Sequence, residues 1–280
     1  MRLGYNTNGF AHHRLADAIE VLSEIGYASV AISLDHHALN PYSDAIQGET
    51  RAIKSRLESL NMRCVIETGA RFLLDPRRRH WPTLLTANRE DRSRRIDFLQ
   101  RAIEIGSGLG AEAISFWSGA RDPKLSDEES WTLLVDACGE LLDTASSQGA
   151  RLAFEPEPGM FIETMSHYQR LADSLEHPRF GLTLDVGHVH CLGDGLPADR
   201  IREFADDLWN VHIEDMVKGR HEHRMFGEGE MAFESIFEAL LTIGYRGSVN
   251  VELSRHSHDA VSAAREAFNF LSRFHALDAS

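Results

Sequence analysis

The sequence lacks the features of secreted, disulfide-stabilised and membrane-embedded proteins. Only three cysteines occur in 280 residues, and Cys64, Cys138 and Cys191 are widely spaced in apolar segments. This usage predicts buried, reduced thiols in a cytoplasmic protein. No run of eighteen or more apolar residues is present, so we predict no membrane span. The first five residues lack an apolar stretch, and we therefore expect no secretory signal.

Positive charge is also scarce, because 29 lysines and arginines face 43 aspartates and glutamates, for a net charge of −14. Such a surface repels a phosphate backbone, so the sequence predicts a small-molecule partner rather than nucleic acid. A local basic run, Arg77-Arg78-Arg79-His80, has three interpretations: a clamp for an anionic substrate, a surface for a partner, or the commoner solvated run of charge. A homo-oligomer is compatible with the sequence, which leaves the oligomeric state open.

Short apolar runs alternate with longer amphipathic ones, the pattern of repeated βα units. Glycine follows the last apolar turn in Glu24-Ile25-Gly26, Glu104-Ile105-Gly106 and Ile243-Gly244, a placement that suits the left-handed position ending a helix. We therefore predict an α/β protein, a single (β/α)8 TIM barrel over residues 1–280, with a long βα loop and lid around residues 70–92. An open doubly wound sheet is disfavoured, because no Gly-rich dinucleotide turn follows the first strand. The predicted strands lie near residues 2–6, 28–33, 62–67, 111–116, 151–155, 180–185, 208–213 and 248–252.

Four metal-capable side chains stand at the ends of the last four predicted strands: Glu155, Asp185, His212 and Glu252. They are 30, 27 and 40 residues apart, each about one βα unit, so consecutive strands would aim them at one axis. Taken singly, each could instead cap a helix or pair with an arginine. Together, four ionisable groups at a barrel rim repel or desolvate one another unless a cation joins them. Three carboxylates and one imidazole suit a divalent ion with positions open for substrate.

The order of these residues resembles the xylose-isomerase-like barrel superfamily. The resemblance rests on Glu155, on Asp185-Val186-Gly187-His188, on His212, on the His221-Glu222-His223 and Gly227-Glu228-Gly229 stretches, and on Glu252. That superfamily holds single-metal ketose epimerases, hydroxypyruvate isomerases, inosose isomerases or dehydratases, and apurinic endonucleases. It implies Glu155, Asp185, His212 and Glu252 as metal ligands and His188 as a contact to a substrate oxygen. Lys218 stands roughly where those enzymes carry an arginine, and is assigned as a substrate contact on that basis.

The predicted activity is isomerisation or epimerisation of a sugar, polyol-ketone or hydroxy-keto acid. Both reactions remove a weakly acidic C–H proton, and a metal ion holding the carbonyl and hydroxyl oxygens stabilises the resulting enediolate. Glu155 and Glu252, on either side of Asp185 and His212, are predicted to act as base and acid. The ion is predicted to be manganese, with magnesium, cobalt, iron and zinc left open.

Several other residues have weaker assignments. His223 is predicted to contact substrate together with its neighbour His221, or else to hold a second metal ion with it on an exposed loop. Trp117, after the fourth strand, is predicted to line the pocket, because aromatic walls suit sugars. Alternatively, each of these residues lies at the rim of the barrel and has no functional role.

Three other functions compete with the isomerase. A lyase or dehydratase on a cyclic polyol or keto acid shares the same proton abstraction, and the sequence does not separate it. A phosphodiesterase like the apurinic endonucleases is disfavoured, because the third and fourth strands end in Ile66-Glu67-Thr68-Gly69 and Ser115-Phe116-Trp117-Ser118, without the histidines those enzymes carry there. A non-catalytic sugar-binding barrel is disfavoured by the intact ligand quartet, since converging polar groups cost stability.

Overall fold

Eight parallel strands close into a barrel in the computed structural model, which describes residues 1–275. Around the barrel the strand order is β1, β10, β7, β6, β5, β4, β3 and β2, and helices connect successive strands. The TIM barrel predicted from the sequence is confirmed. Residues 276–280, the end of the predicted domain, lie outside the described residues. The barrel strands are β1 (Arg2–Asn6), β2 (Ser29–Ser33), β3 (Arg63–Glu67), β4 (Ile114–Phe116), β5 (Leu152–Phe154), β6 (Phe180–Asp185), β7 (Leu208–Ile213) and β10 (Ser248–Val251).

The helices form the outer layer of the barrel, and most bury one apolar face. In the first helix this face comprises Leu15, Ala18, Ile19 and Leu22, spaced by three or four residues as a helix stripe requires. The helices are α1 (Leu15–Ile25), α2 (Ile46–Ser59), α3 (Arg89–Leu109), α4 (Asp127–Gln148), α5 (Met165–Leu175), α6 (Val186–Leu192), α7 (Pro197–Glu203), α8 (Phe233–Thr242) and α9 (Ala260–His275). Short 3-10 helices cover Thr7–Phe10 and Ser254–Asp259.

Two of the three glycines predicted to follow helices do so. Gly26 caps α1 with a φ of 120°, and Gly244 follows α8 with a φ of 67°. Gly106 lies inside α3 instead, which continues to Leu109 and is capped by Gly110. A Cβ at position 106 would lie 2.9 Å from Ile114, so this glycine lets α3 approach β4 closely rather than ending the helix.

The large apolar core lies between the strands and the helices, while the barrel interior is small and polar. Inside, Val65, Ala113 and Ala153 form a separate apolar cluster. Towards the carboxyl ends of the strands, Thr183 Oγ1 donates to Ser115 Oγ (3.0 Å), and Asn250 Nδ2 donates to Asn210 Oδ1 (2.9 Å). Buried hydrogen bonds of this kind fix side-chain positions, so the floor beneath the strand ends is rigid.

A hairpin between β7 and α8 corrects the sequence analysis, which interpreted residues 218–224 as an exposed loop. Strands β8 (Asp215–Val217) and β9 (Arg220–Arg224) pair antiparallel through a turn in which Gly219 has a φ of 75°. Because alternate residues of a strand share a face, this pairing places His221 and His223 on the same side. His221 and His223 are therefore alternate residues of strand β9 and are not part of a loop.

The segment predicted as a lid runs over the barrel mouth between β3 and α3. Its own Leu74, Leu84 and Leu85 are buried in the apolar core, and its Arg71 and Arg79 border the cavity described below. Cys64, Cys138 and Cys191 are free and buried. Over residues 1–275, no helix has both the length and the apolar character needed to cross a bilayer.

Candidate active site

The four side chains predicted as ligands converge at the carboxyl ends of their strands. Glu155 follows β5, Asp185 ends β6, His212 lies in β7, and Glu252 follows β10. The parallel register places Asp185 opposite His212, so neighbouring strands aim both side chains at the barrel axis. One ligand atom from each of the four lies within 4.8 Å of the others. The structure therefore brings together residues up to 97 positions apart, from Glu155 to Glu252.

His212 is the centre of this group and is almost wholly buried. Its Nδ1 lies 3.1 Å from Glu155 Oε1 and 3.1 Å from Glu252 Oε2. Its Nε2 lies 2.8 Å from Oε1 of Glu67, the last residue of β3. Asn8 Nδ2 donates to Glu252 Oε1 (2.8 Å) and orients that carboxylate from the first βα loop. A carboxylate on the far nitrogen of a histidine fixes the ring orientation, as around many metal-bound histidines.

Glu67 was missed by the sequence analysis as a site residue. A signal was available, because the expectation that strand ends carry the chemistry applies to the third strand as well as to the last four. Glu67 Oε1 also accepts a hydrogen bond from Asn210 Nδ2 (3.2 Å). We interpret Glu67 as the residue that positions His212.

The surroundings of Glu155 and Glu252 shift the pKa values of these two carboxylates in opposite directions. Burial raises the pKa of Glu155 to about 7, although His212 opposes the change. Burial acts in the same direction on Glu252, but His223 and His212 outweigh it and hold the pKa of Glu252 well below its ordinary value. Burial disfavours the charged form of His212, yet Glu67 and Glu155 raise its pKa well above the usual range. Two carboxylates with pKa values pushed apart are typical of an acid and base pair.

Three histidines form a second group beside the first. The ring centroids of His188 and His221 are 4.7 Å apart, and those of His221 and His223 are 5.3 Å apart. His188 Nδ1 lies 3.2 Å from the Pro156 carbonyl oxygen, so this nitrogen carries the proton when the ring is neutral. Burial lowers the pKa of His188 to about 4. His223 Nδ1 lies 3.2 Å from the Glu252 carbonyl oxygen.

A buried glutamate, Glu214, was also missed by the sequence analysis. Its side chain is fully buried, and neither carboxylate oxygen has a hydrogen bond among residues 1–275, although Oε2 lies 3.7 Å from His223 Nδ1. Burial and then Asp185 raise its pKa well above the ordinary value. A Cβ at Gly187 would overlap the Glu214 carboxylate, so the glycine in Asp185-Val186-Gly187-His188 leaves room for this acid.

The site opens into a cavity of about 540 Å³ at the barrel mouth, within the usual range for small-molecule sites. Of the predicted substrate contacts, Trp117 and His223 line this cavity. His188 lies behind them, in ring contact with His221 and His223. Lys218 is exposed in the hairpin turn, where its backbone N–H donates to Glu230 Oε1 (2.8 Å), and it is not brought to the cavity.

Comparison with known proteins gives a consistent picture. A family model described as xylose isomerase-like TIM barrel matches residues 19–274. The 3-dehydroshikimate dehydratase of Pseudomonas putida is 27% identical over 190 residues, which cover 64% of this chain but only 29% of that protein. The L-ribulose-5-phosphate 3-epimerase UlaE of Escherichia coli is 22% identical over 240 residues, covering 85% of this chain and 81% of that enzyme. A solved structure of a D-tagatose 3-epimerase-like protein superposes with a TM-score of 0.82 at 19% identity, covering 100% of this chain and 98% of that one.

Proposed function

The chain belongs to the xylose isomerase-like TIM barrel family, and we propose that it is a divalent-metal-dependent isomerase or epimerase of a sugar, polyol-ketone or hydroxy-keto acid. The observation that carries this proposal is the convergence of Glu155 and Glu252 from separate strands, each 3.1 Å from the same nitrogen of His212. Two carboxylates at one point can remove a proton and return it. The similarity to L-ribulose-5-phosphate 3-epimerase UlaE over most of both chains supports an isomerase or epimerase reaction.

The residues present fit a divalent ion held by Glu155, Asp185, His212 and Glu252. Their ligand atoms cluster, and Asp185 Oδ2 and His188 Nε2 are buried 3.4 Å apart without a hydrogen bond within the described part of the chain. Such electron-rich atoms call for a positive centre nearby. The donor set favours manganese and accepts magnesium, cobalt, iron or zinc. When bound, the ion would polarise substrate oxygens and stabilise negative charge next to the reacting carbon.

The side chains of the protein move the proton. In this proposal Glu155 and Glu252 flank the carbon beside the carbonyl, one taking its proton to give an enediolate and the other returning a proton to the carbon. Glu67 and Asn8 hold His212 and Glu252 in place. Trp117 offers an aromatic wall for a sugar ring, and His223 lines the same cavity as a hydrogen-bonding group for a substrate oxygen.

The test uses Glu155→Gln, with Glu238→Gln on the exposed face of α8 as the matched control. The purified protein is first analysed for bound metal and then screened for solvent-deuterium uptake into sugars and polyols. We expect Glu155→Gln to keep the fold and lose exchange into any true substrate, and Glu238→Gln to retain it. Unimpaired exchange in Glu155→Gln removes that residue from the role, and a protein that binds no divalent metal supports a non-catalytic barrel.

A dehydratase is the second candidate, because the chain is also similar to part of the 3-dehydroshikimate dehydratase of P. putida. It begins with the same proton abstraction and differs in the loss of a β-hydroxyl group. Mass spectrometry separates the two reactions, since a dehydratase product is lighter by one water. A product of unchanged mass supports the isomerase or epimerase.

We extend the proposal to the chain as a whole. Three free, buried thiols support a reducing cytoplasmic setting, and the net charge of −14 supports a small-molecule partner over nucleic acid. We further propose that residues 1–280 form one barrel domain, with the segment around residues 70–92 as its lid.

A further inference from the structure

We propose that the substrate carries an oxyanion group, a carboxylate or a phosphate, and that Arg71 and Arg79 bind this group at the mouth of the cavity. The inference rests on the proposed function only in taking the same cavity as the substrate site. It narrows the substrate class from neutral sugars to sugar acids, keto acids or sugar phosphates.

Both arginines come from the long segment after β3 and line the 540 Å³ cavity. Within residues 1–275, neither guanidinium has a hydrogen bond or an ion pair to another side chain. Arg71 is partly buried, and its pKa is lowered by burial and then by the nearby charge of Arg79. Arg79 is exposed, and its charge beside the partly buried Arg71 is unfavourable for Arg71, so a bound anion would offset that cost.

Asp35 and Glu252 line the same cavity and act on Arg71 through space, but neither forms an ion pair with it among the described residues. Two other nearby carboxylates pair with different arginines. Asp75 pairs with Arg78 at 2.9 Å and also accepts backbone N–H groups. Glu222, on the opposite wall, pairs with Arg224 and Arg255. Among the side chains that the structure describes, none therefore forms a direct ion pair with Arg71 or Arg79, and the through-space effect of Asp35 and Glu252 does not outweigh burial and Arg79 at Arg71.

The positive field of Arg79 reaches across the cavity mouth. Burial, with smaller contributions from Arg79, Arg95 and Arg71, lowers the pKa of His80 to about 4, although the Gly69 carbonyl opposes the change. The pKa of His221, on the hairpin wall, is lowered by burial and His223, raised in part by Asp185 and Glu252, and lowered slightly by Arg79. The positive charge is therefore strongest beside His80, on the side of the cavity that carries Arg71 and Arg79.

This arrangement orients a substrate that is polar at both ends. The carboxylates at the strand ends repel an oxyanion, whereas two guanidinium groups bind it with paired N–H donors. The anionic group would therefore stay at Arg71 and Arg79 while the carbonyl end reaches Glu155 and Glu252. Because the arginines and the two glutamates line one cavity, a single small molecule can contact both groups.

The experiment measures binding to the metal-loaded protein by calorimetry, using pairs of compounds that differ in the anion. D-Glucose and D-glucuronate form the carboxylate pair, and D-fructose and D-fructose 6-phosphate form the phosphate pair. We expect the wild type to bind the anionic member of at least one pair about tenfold more tightly or better, with a preference that weakens as salt is added. The pair that shows the preference identifies which oxyanion is bound.

Arg71→Met and Arg79→Met should each reduce that preference about tenfold and leave the affinity for the neutral member within about twofold. The matched control is Arg77→Met, which removes the same charge from the same segment at an exposed position outside the cavity. It should leave the preference unchanged. Circular dichroism of each variant checks that the fold is retained.

Sulfate serves as a second probe that carries no sugar. We expect sulfate to bind the wild type at least fivefold more tightly than the double variant Arg71→Met/Arg79→Met. Equal binding of neutral and anionic compounds by the wild type, together with equal sulfate binding by the double variant, overturns the proposal. So does a loss of preference in Arg77→Met as large as in Arg79→Met. These binding readouts do not need turnover, so a failure of deuterium exchange would refute the proposed reaction and leave the anion site standing.

Discussion

Replacing Glu155 by glutamine should stabilise the metal-free protein at pH 8, although the same change removes the proposed proton acceptor. Burial raises the pKa of Glu155 from the ordinary 4.5 to about 7. Folding therefore favours its protonated form. The resulting stabilisation is fully present below pH 4.5 and is lost as the pH rises through 7. Each pH unit between the two values corresponds to roughly 1.4 kcal/mol, so ionised Glu155 costs the folded protein about 3 kcal/mol.

Glutamine has the shape of the protonated acid and cannot ionise. The assay is urea unfolding in the presence of a chelator, at intervals from pH 4.5 to pH 8, for the wild type and Glu155→Gln. We expect the variant to gain about 3 kcal/mol of unfolding free energy relative to the wild type across this range. Glu238→Gln, at an exposed position of α8, should show no such trend.

Adding Mn²⁺ should reverse the order of stability. An ion that binds only the folded state at a thousand times its dissociation constant adds about 4.1 kcal/mol, which exceeds the advantage of about 3 kcal/mol that the metal-free variant has at pH 8. The wild type should gain this increment at pH 8, and Glu155→Gln, with one ligand lost, should gain far less. A stability difference that does not vary with pH in chelator, or a wild type that gains on the variant as pH rises, would refute the reasoning.

Three further outcomes follow from the structure. Glu67→Gln should weaken Mn²⁺ binding about 10- to 100-fold by calorimetry, because Glu67 orients His212; wild-type affinity would remove it from that role. Gly187→Ala should lower the unfolding free energy by about 1–3 kcal/mol, because the added Cβ overlaps Glu214; unchanged urea unfolding would contradict the packing described. Phe154→Ala should cost about 3–5 kcal/mol, because the ring is fully buried, and a loss below 1 kcal/mol would contradict its burial.

Much of the fold could be predicted from local pattern. Helix stripes such as Leu15, Ala18, Ile19 and Leu22 are repeated along the chain and are buried as expected. The strands that they alternate with are found within a few residues of their predicted bounds. The hairpin at residues 215–224 escaped prediction because its second strand, Arg220–Arg224, is wholly polar and has no apolar alternation to reveal it.

The sequence predicted only those site residues that stand at the end of a recognisable strand. Glu155, Asp185, His212 and Glu252 each end an apolar run, so barrel topology alone implies that they meet. Lys218 was assigned by its place in a motif, and the hairpin turn carries it to the surface. No local pattern distinguishes such a turn residue from one that faces the cavity.

The sequence by itself determined the barrel and the order of the four strand-end side chains, because hydrophobic period and strand ends are local properties of the chain. Only the tertiary structure decided that Glu67 meets His212 across 145 residues and that Arg71 and Arg79 share one cavity without a direct ion pair to any described side chain. These contacts depend on how the barrel closes and how a long segment folds over its mouth. Charge balance at such a site is set by neighbours in space, which are distant along the chain.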